Sequence, residues 1–370
     1  MSENTNDSRF QLAFAAIDKT LVTSIPKLVQ DNNYRDWIMY GDDNRYCDYL
    51  WGLYQDVSTL KTIIDGTADY IAGDDVRCNV KGMEVQINRK GDTARDLVKN
   101  LSKDWMIYGG FAYEVVRNKL GKPVELNYVD FRYLRTDKKN ECFWYSEEFS
   151  KKYGRTSKAL VYPKYVVDGD APNSIVYVKN TTSTPYPIPR YSGAIKACEI
   201  ERNIDEMHLS SLLNGFLSSY IINMCGGIPT DEQKKEIEKN VNEKFCGTSN
   251  AGRIMLNFAA SKENMATVQR LDVTDFGDKY KAAADRAREQ IFVAFQATPA
   301  LFGLVTEQNG FSNIEFTSAF ALYNATVVKP IQRTIIDSLD KVFQFKGTLT
   351  IDAFTIDAQT NTVDNEETVS

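Results

Sequence analysis

The chain has 370 residues, 43% hydrophobic and 25% charged, with 21 Gly and 10 Pro, which excludes disordered, collagen-like and low-complexity proteins. Lys and Arg number 44 against 50 Asp and Glu, and the net charge of −6 argues against tight non-specific DNA binding, which rests on neutralising phosphates. Any nucleic-acid contact is therefore expected to be weak or confined to a local patch.

The length allows two or three structural regions. Spaced apolar residues predict helices at Leu12–Ile25, ended by Pro26, and at Val57–Ile71, with Tyr40–Asn44 a polar, turn-rich loop between them. A third helix is expected over 92–107 (Ala94, Leu97, Leu101, Trp105), stopped by Gly109-Gly110. Phe111–Arg117 and Val124–Val129 then read as strands joined by a turn at Asn118–Gly121. Residues 130–192 are rich in Tyr, Thr and Pro and hold short strand candidates such as Ile175–Val178.

The second half reads as more helical. Ile200, Ile204, His208, Leu212, Phe216 and Tyr220 recur at four-residue steps and predict one continuous helix over 195–222, about 40 Å long. Gly226-Gly227 ends it, and Thr230 with Gln233 opens a charged helix through a capping box, followed by a strand at Arg253–Phe258. Residues 275–297 form another helix with Phe276, Tyr280, Ala284, Ala287, Ile291 and Phe295 on one face. Lys279, Arg286 and Glu289 stand on the opposite face, and Pro299 stops the helix. After a polar loop, Ser312 and Glu315 form a second capping box before a long helix, Asn313–Phe343, which Pro330 must kink. Two short alternating strands and a polar tail are expected from Gly347 onward.

The six cysteines (Cys47, Cys78, Cys142, Cys198, Cys225, Cys246) form no C-x-x-C pair, so free thiols in a reducing compartment are expected. The opening MSENTNDSRF lacks the apolar core of a signal peptide, and the longest apolar run, Ile291 to Val305, is broken by Gln296, Thr298 and Pro299. A soluble, non-secreted protein without a membrane partner is expected, in which the sequons at Asn180 and Asn324 are chance matches.

Three motifs imitate active sites. Tyr40-Gly41-Asp42-Asp43 matches the Y-G-D-D of template-dependent polymerases, where paired carboxylates hold two magnesium ions. Only about forty residues precede it, too few for the earlier strand that carries the other metal-binding Asp, and Asp and Asn also suit turns. Gly247 to Arg253 imitates a phosphate-binding loop, but Arg253 replaces the lysine, Ile254 the Ser or Thr, and a strand rather than a helix follows. Ser58 and Lys61 have S-x-x-K spacing without an accompanying K-T-G, in an amphipathic helix. The single histidine, His208, falls on the apolar stripe of its helix, where packing is expected, and it leaves Ser-His and zinc-histidine chemistry without material. No catalytic residue, metal ligand or cofactor site emerges from the sequence.

The order of elements is similar to that of a known family. Tyr40-Gly-Asp-Asp-Asn-Arg-Tyr46, continuing through Leu50, Leu53, Tyr54, Ile63 and Ile71-Ala-Gly73, resembles the opening of tailed-phage portal proteins. Tyr108-Gly-Gly-Phe-Ala-Tyr113-Glu-Val-Val-Arg117, followed by Gly121 and Leu126, resembles that family's strand pair. Most specific is the order Ile291-Phe-Val-Ala-Phe295, Pro299-Ala-Leu-Phe-Gly303, Phe311-Ser-Asn313, Glu315, Phe320 and Val328-Lys-Pro330-Ile331. Together these resemble a portal of the HK97 type over positions 40 to about 345.

The resemblance implies an α+β portal-protein fold: a wing over 1–192, a stem helix over 193–222, a small α/β clip over 223–272 and a second stem helix over 273–298. It further implies a tunnel loop over 299–312, a kinked wing helix over 313–346 and a short C-terminal segment over 347–370, with the crown short or absent. It places Thr306, Glu307, Gln308, Asn309, Gly310 and Phe311 in the tunnel loop beside DNA, and Lys279, Arg286 and Glu289 on the channel face of the stem. Asp231, Lys234, Lys235, Glu238 and Arg253 fall on the clip, which docks other proteins.

The implied partners are further copies of the chain in a ring of about twelve, double-stranded DNA held weakly so that it slides, the major capsid protein, the terminase large subunit and neck or adaptor proteins. The implied location is the portal vertex of a virion assembled in the host cytoplasm, with no catalysis and no cofactor. Two other readings compete: a metal-dependent nucleic-acid enzyme using Asp42 and Asp43, and another oligomeric head–tail connector protein.

Overall fold

A computed structural model describes residues 28–29, 37–150, 159–213, 220–225, 254–259, 274–303 and 313–355. The expected helix at Leu12–Ile25, the one opened by Thr230 and the cap at Ser312 lie outside these residues. The chain enters through a short antiparallel pair, β1 (Leu28–Val29) with β2 (Met39–Tyr40). After the Tyr40–Asn44 turn come α1 (Tyr46–Asp56) and α2 (Ser58–Ala72), separated by Val57 alone. Val57 is extended, its N–H still bonds Leu53 O at 3.0 Å, and its own carbonyl already accepts from Lys61. The sequence reading found α2 but not α1, whose Tyr, Trp and Cys content masks the spacing of its buried Leu50, Leu53 and Tyr54.

Val57 brings no capping side chain to α2. The cap comes from elsewhere in the chain. Glu201 Oε1 accepts from Thr59 Oγ1 at 2.8 Å, Ser58 Oγ at 3.3 Å and the Thr59 N–H at 3.4 Å. A carboxylate thus sits at the positive end of the α2 dipole, from a helix over 140 residues away.

β3 (Asp75–Cys78) leads to α3 (Ala94–Tyr108), which opens with a capping box between Thr93 and Asp96 and closes on Gly109 in the left-handed region. Gly109 is obligatory: a Cβ there would stand 2.4 Å from Ile188 O. β4 (Gly110–Arg117) turns at Asn118–Gly121 into β5 (Pro123–Val129), close to the expected strands. Two three-stranded antiparallel sheets follow from β6 (Leu134–Thr136), β7 (Cys142–Tyr145), β8 (Leu160–Pro163) and β9 (Asn173–Lys179), in the orders β5-β4-β9 and β6-β7-β8.

α4 (Ile195–Leu213) is shorter than the helix expected over 195–222. Tyr220 to Ile222 belong instead to β10 (Tyr220–Cys225), which pairs in parallel with β11 (Ile254–Ala259). The four-residue spacing continued into a β-branched and aromatic run that suits a strand, and pairing with a distant segment decides between the two. His208 is exposed rather than packed on an apolar stripe.

α5 (Thr274–Phe295) matches the expected helix within two residues. The long C-terminal helix is indeed interrupted at its proline. α6 (Asn313–Tyr323) passes through a π-helical turn at Asn324–Val328 into α7 (Lys329–Phe343), with the Lys329 N–H bonding Asn324 O five residues back. Pro330 has no N–H and its ring crowds the carbonyl four residues earlier, and the wider turn makes that room. β12 (Leu349–Asp352) then pairs antiparallel with β3. One strand, not two, follows Gly347 among the described residues.

A single apolar core joins α1, α2, α3, β4, α5 and α7. One carboxylate interrupts it. Asp104 on α3 is 3% exposed, and its Oδ1 accepts from Tyr128 Oη at 3.1 Å. Burial, with the charge of Asp130 adding to it, raises its pKa well above the usual carboxylate range.

Two predictions follow from these buried acids. The native state holds the Asp104 proton at pH values where the unfolded chain, titrating near 4, has released it, so stability falls as pH rises from that value. Asp104→Asn is expected to raise the melting temperature at pH 8 and to lose that advantage near pH 4, as read by thermal unfolding across that range. Glu201→Ala removes the α2 cap and strands the Ser58 and Thr59 donors; a loss of roughly 1–3 kcal/mol is expected, with Glu201→Gln losing less, by denaturant titration.

Candidate functional site

The Y-G-D-D stretch is a structural turn. Gly41 (φ +91°) and Asn44 (φ +65°) take left-handed backbone, and the Asn44 N–H closes the turn on Gly41 O at 3.3 Å. Asn44 Oδ1 accepts from Tyr40 N at 3.1 Å and from Arg135 Nε at 2.5 Å. Arg135 is wholly buried and also donates to the carbonyls of Asn44, Arg132 and Leu134. Asp42 and Asp43 point outward, and Asp43 Oδ1 accepts from Arg45 N at 3.0 Å. Among the described residues no three His, Cys, Asp or Glu side chains gather as metal ligands would. Ser58 and Lys61 have separate partners: Ser58 donates to Glu201, while Lys61 reaches Gln55 and lies 4.4 Å over the Tyr54 ring.

The expected channel and docking residues are unevenly placed. Thr306, Glu307, Gln308, Asn309, Gly310 and Phe311 lie outside the described residues, as do Asp231, Lys234, Lys235, Glu238 and Arg253. The segment holding the latter group is flanked by β10 and β11. Lys279 belongs to α5, and Arg286 and Glu289 are exposed about one turn apart on that helix.

Opposite them Ala287, Ile291, Phe292 and Phe295 enter the core, with Phe295 stacked on Tyr191 at 5.4 Å. Arg286, Glu289 and Val293 line an open groove of about 530 Å³ whose other wall is Gly193 and Ala194. Farther along the α4–α5 pair lies a second groove of about 430 Å³, lined by Ile200, Ile204, Met207 and Ala283. Val293 is 75% exposed, Leu209 58%, Ile200 44% and, on α6, Leu322 66%. α6 has no single apolar face: Phe316, Ala319 and Phe320 are half-buried, while Ala321 and Leu322 are exposed.

Aromatic packing fixes both ends of the 304–312 segment. Phe302, Tyr323, Phe320 and Phe354 all pack on Tyr70 of α2, with centroids 5.0 to 6.4 Å away. Tyr70 Oη donates to Leu301 O at 2.7 Å, and Thr67 Oγ1 and Tyr323 Oη are 2.7 Å apart. Burial pushes the Tyr323 phenol up to about 12. A Cβ on Gly66 would stand 2.9 Å from the Phe302 ring, so this close packing of Phe302 on α2 depends on the glycine. Gly303, the last described residue before that segment, takes left-handed backbone (φ +78°). Sequence reasoning missed Tyr70, Phe354, Arg135 and Glu201, because each acts on a residue far away in the chain.

The sequence profile of the family described as phage portal protein matches residues 86–365, about three quarters of the chain. The match leaves out Tyr40–Gly73, so that part of the resemblance has no counterpart in it. An uncharacterized protein of Rickettsia bellii (strain RML369-C) is 25% identical over 184 residues, 48% of this chain and 46% of its own. The chain spans about half the length of the curated relatives it matches.

Among solved structures, a chain from the neck of a native GTA particle with C12 symmetry is similar, with a TM-score of 0.50 and 17% identity over 82% of this chain and 83% of that one. That likeness shows a shared fold. An HK97-family phage portal protein from Corynebacterium diphtheriae gives 0.48 and 11% identity over 81% of this chain and 93% of its own.

Proposed function

The chain belongs to the phage portal protein family, and we propose that it forms a ring at one vertex of a capsid, the channel through which DNA is packaged and ejected. The observation that carries this reading is the α4–α5 pair, whose core-facing side is filled while Ile200, Val293 and Leu209 stay uncovered along its length. Such a surface suits a head-to-tail neighbour, and heterologous contacts of that kind close into rings. The family is structural, so no catalytic step enters this reading.

In this assignment 1–192 form the wing, α4 and α5 the two stem helices, and 223–272 the clip. Asp231, Lys234, Lys235, Glu238 and Arg253 on the clip dock the terminase large subunit and later neck or adaptor proteins, and the wing contacts the major capsid protein. Residues 299–312 are the tunnel loop, with α6, the π turn and α7 as the kinked wing helix. Lys279, Arg286 and Glu289, of mixed sign, face the DNA together with the loop. The overall charge of −6 suits a conduit, since a lining that gripped phosphates tightly would arrest sliding. The location in this reading is the virion, with assembly in the host cytoplasm.

Native mass measurement with negative-stain imaging tests the ring. Twelve copies of 41.9 kDa, the number taken from the C12 neck, give about 500 kDa with a central hole. Val293→Asp places a charge in the uncovered seam and is expected to shift that species to protomers without lowering the protomer's melting temperature. A wild-type protein that stays monomeric at all concentrations and with capsid partners present overturns the assignment. Deleting Glu307–Gly310 is expected to leave rings intact while DNA packaging or retention fails; collapse of the ring on deletion refutes the loop's role.

A further inference from the structure

A groove of about 400 Å³ lies between the β6–β7 turn and the segment after β9, lined by Lys138, Lys139 and Lys179 with Thr182, Ser183 and Ile38 among its other walls. None of its lining residues is acidic. Among the described residues none of the three lysines forms a salt bridge. Lys138 and Lys139 are exposed. Lys179 is half-buried, and every acceptor of its ammonium is neutral: Asn140 Oδ1 at 2.7 Å and the carbonyls of Thr184 and Pro185. Burial lowers the Lys179 pKa, and the charge of Lys164 adds to the effect. The β6–β7 turn also carries two acids outside the groove lining: Asp137, which accepts from the N–H groups of Lys139, Glu141 and Cys142, and the exposed Glu141.

The groove is built rigidly. Asn140, itself in left-handed backbone, donates to Thr136 Oγ1 and to Pro185 O, both at 3.0 Å, and so ties one wall to the other. Tyr186 Oη donates to Ile38 O at 2.5 Å and accepts from Thr136 N at 3.1 Å, fixing the floor. Three lysines and no acid in the lining give the groove a local positive potential, which draws an anion.

We propose that this groove binds the phosphate backbone of a nucleic-acid strand. Lysines act as point charges that suit phosphate, and hydroxyl groups beside them add donors. No arginine lines the groove, so its cationic contacts are lysine point charges. This contact is separate in sequence from α5 and the 304–312 loop, and it does not rest on ring formation.

The test is fluorescence anisotropy of a labelled 12-nucleotide single strand titrated with the full-length protein between 50 and 200 mM NaCl. Removing two phosphate contacts with Lys138→Gln/Lys139→Gln is expected to reduce the slope of log K against log salt by about 1.4. The exposed positions should leave the melting temperature unchanged, which separates lost binding from lost folding. Inorganic phosphate is expected to compete with the oligonucleotide on the wild type. An unchanged slope in the double variant, with the slope lowered instead by Arg286→Gln, overturns the proposal. So does preferential, lysine-dependent binding of a polyglutamate peptide, which would make the partner an acidic polypeptide. Native mass measured on the same samples reports ring formation separately, so either idea can fail alone.

Discussion

The surfaces that this chain offers to partners depend on how α2 is held. At its N-terminus the side-chain cap is Glu201 from α4, so α4 cannot shift along its axis without uncapping α2. Near its C-terminus, Gly66 and Tyr70 receive Phe302, which directly precedes the Gly303 hinge, while Thr67 receives Tyr323 from the last turn of α6. One fifteen-residue helix therefore sets the positions of α4, the end of α5 and the start of the π turn. These contacts are short-range and tightly packed, so they hold one arrangement rather than a continuum.

The same arrangement explains why a change in the loop would be felt elsewhere. Phe354 packs on Tyr70 at 5.0 Å and on Phe320 at 6.2 Å, and Thr355 bonds Asp74, so the C-terminal strand shares the aromatic cluster that anchors both loop ends. β12 carries this into the N-terminal half by pairing with β3. The π turn adds the compliance that a straight helix lacks, since its wider bonding pattern tolerates Pro330 and lets α6 and α7 differ in direction.

Much of this was legible in the sequence where information is local. The Gly109 stop, the β4–β5 hairpin, the span of α5 and the interruption at Pro330 all follow from residues within a few positions of one another. The failures share a different origin. α1 buries Tyr46, Cys47, Leu50, Leu53 and Tyr54 along one face, but Tyr49 and Trp51 on its other positions blur the amphipathic pattern. The helix pattern over 195–222 ran past Leu213 because period alone cannot register β11, which lies over thirty residues downstream. Arg135 looked like one charged residue in a strand-rich stretch, yet it is the buried post on which the Asn44 turn is fastened. The profile match beginning at residue 86 fits this picture, since the N-terminal helices enter the core without falling within the matched part of the family.

Net charge is the weakest guide to where this protein meets polyanions. A total of −6 argues against a chain that clings to DNA everywhere, and a sliding conduit needs that reluctance. It does not set the local field, because with screening over about 8 Å at physiological salt a cluster acts on its own surroundings. The lysine groove and the mixed-sign α5 face are thus two different electrostatic surfaces on one chain. On α5, Arg288 is matched by Asp285 at 3.4 Å and Arg286 stands beside Glu289, so the potential averages toward zero along the helix. The groove's lining instead brings Lys138, Lys139 and Lys179 together without an acid, and Asn140 ties its two walls by bonds to Thr136 and Pro185.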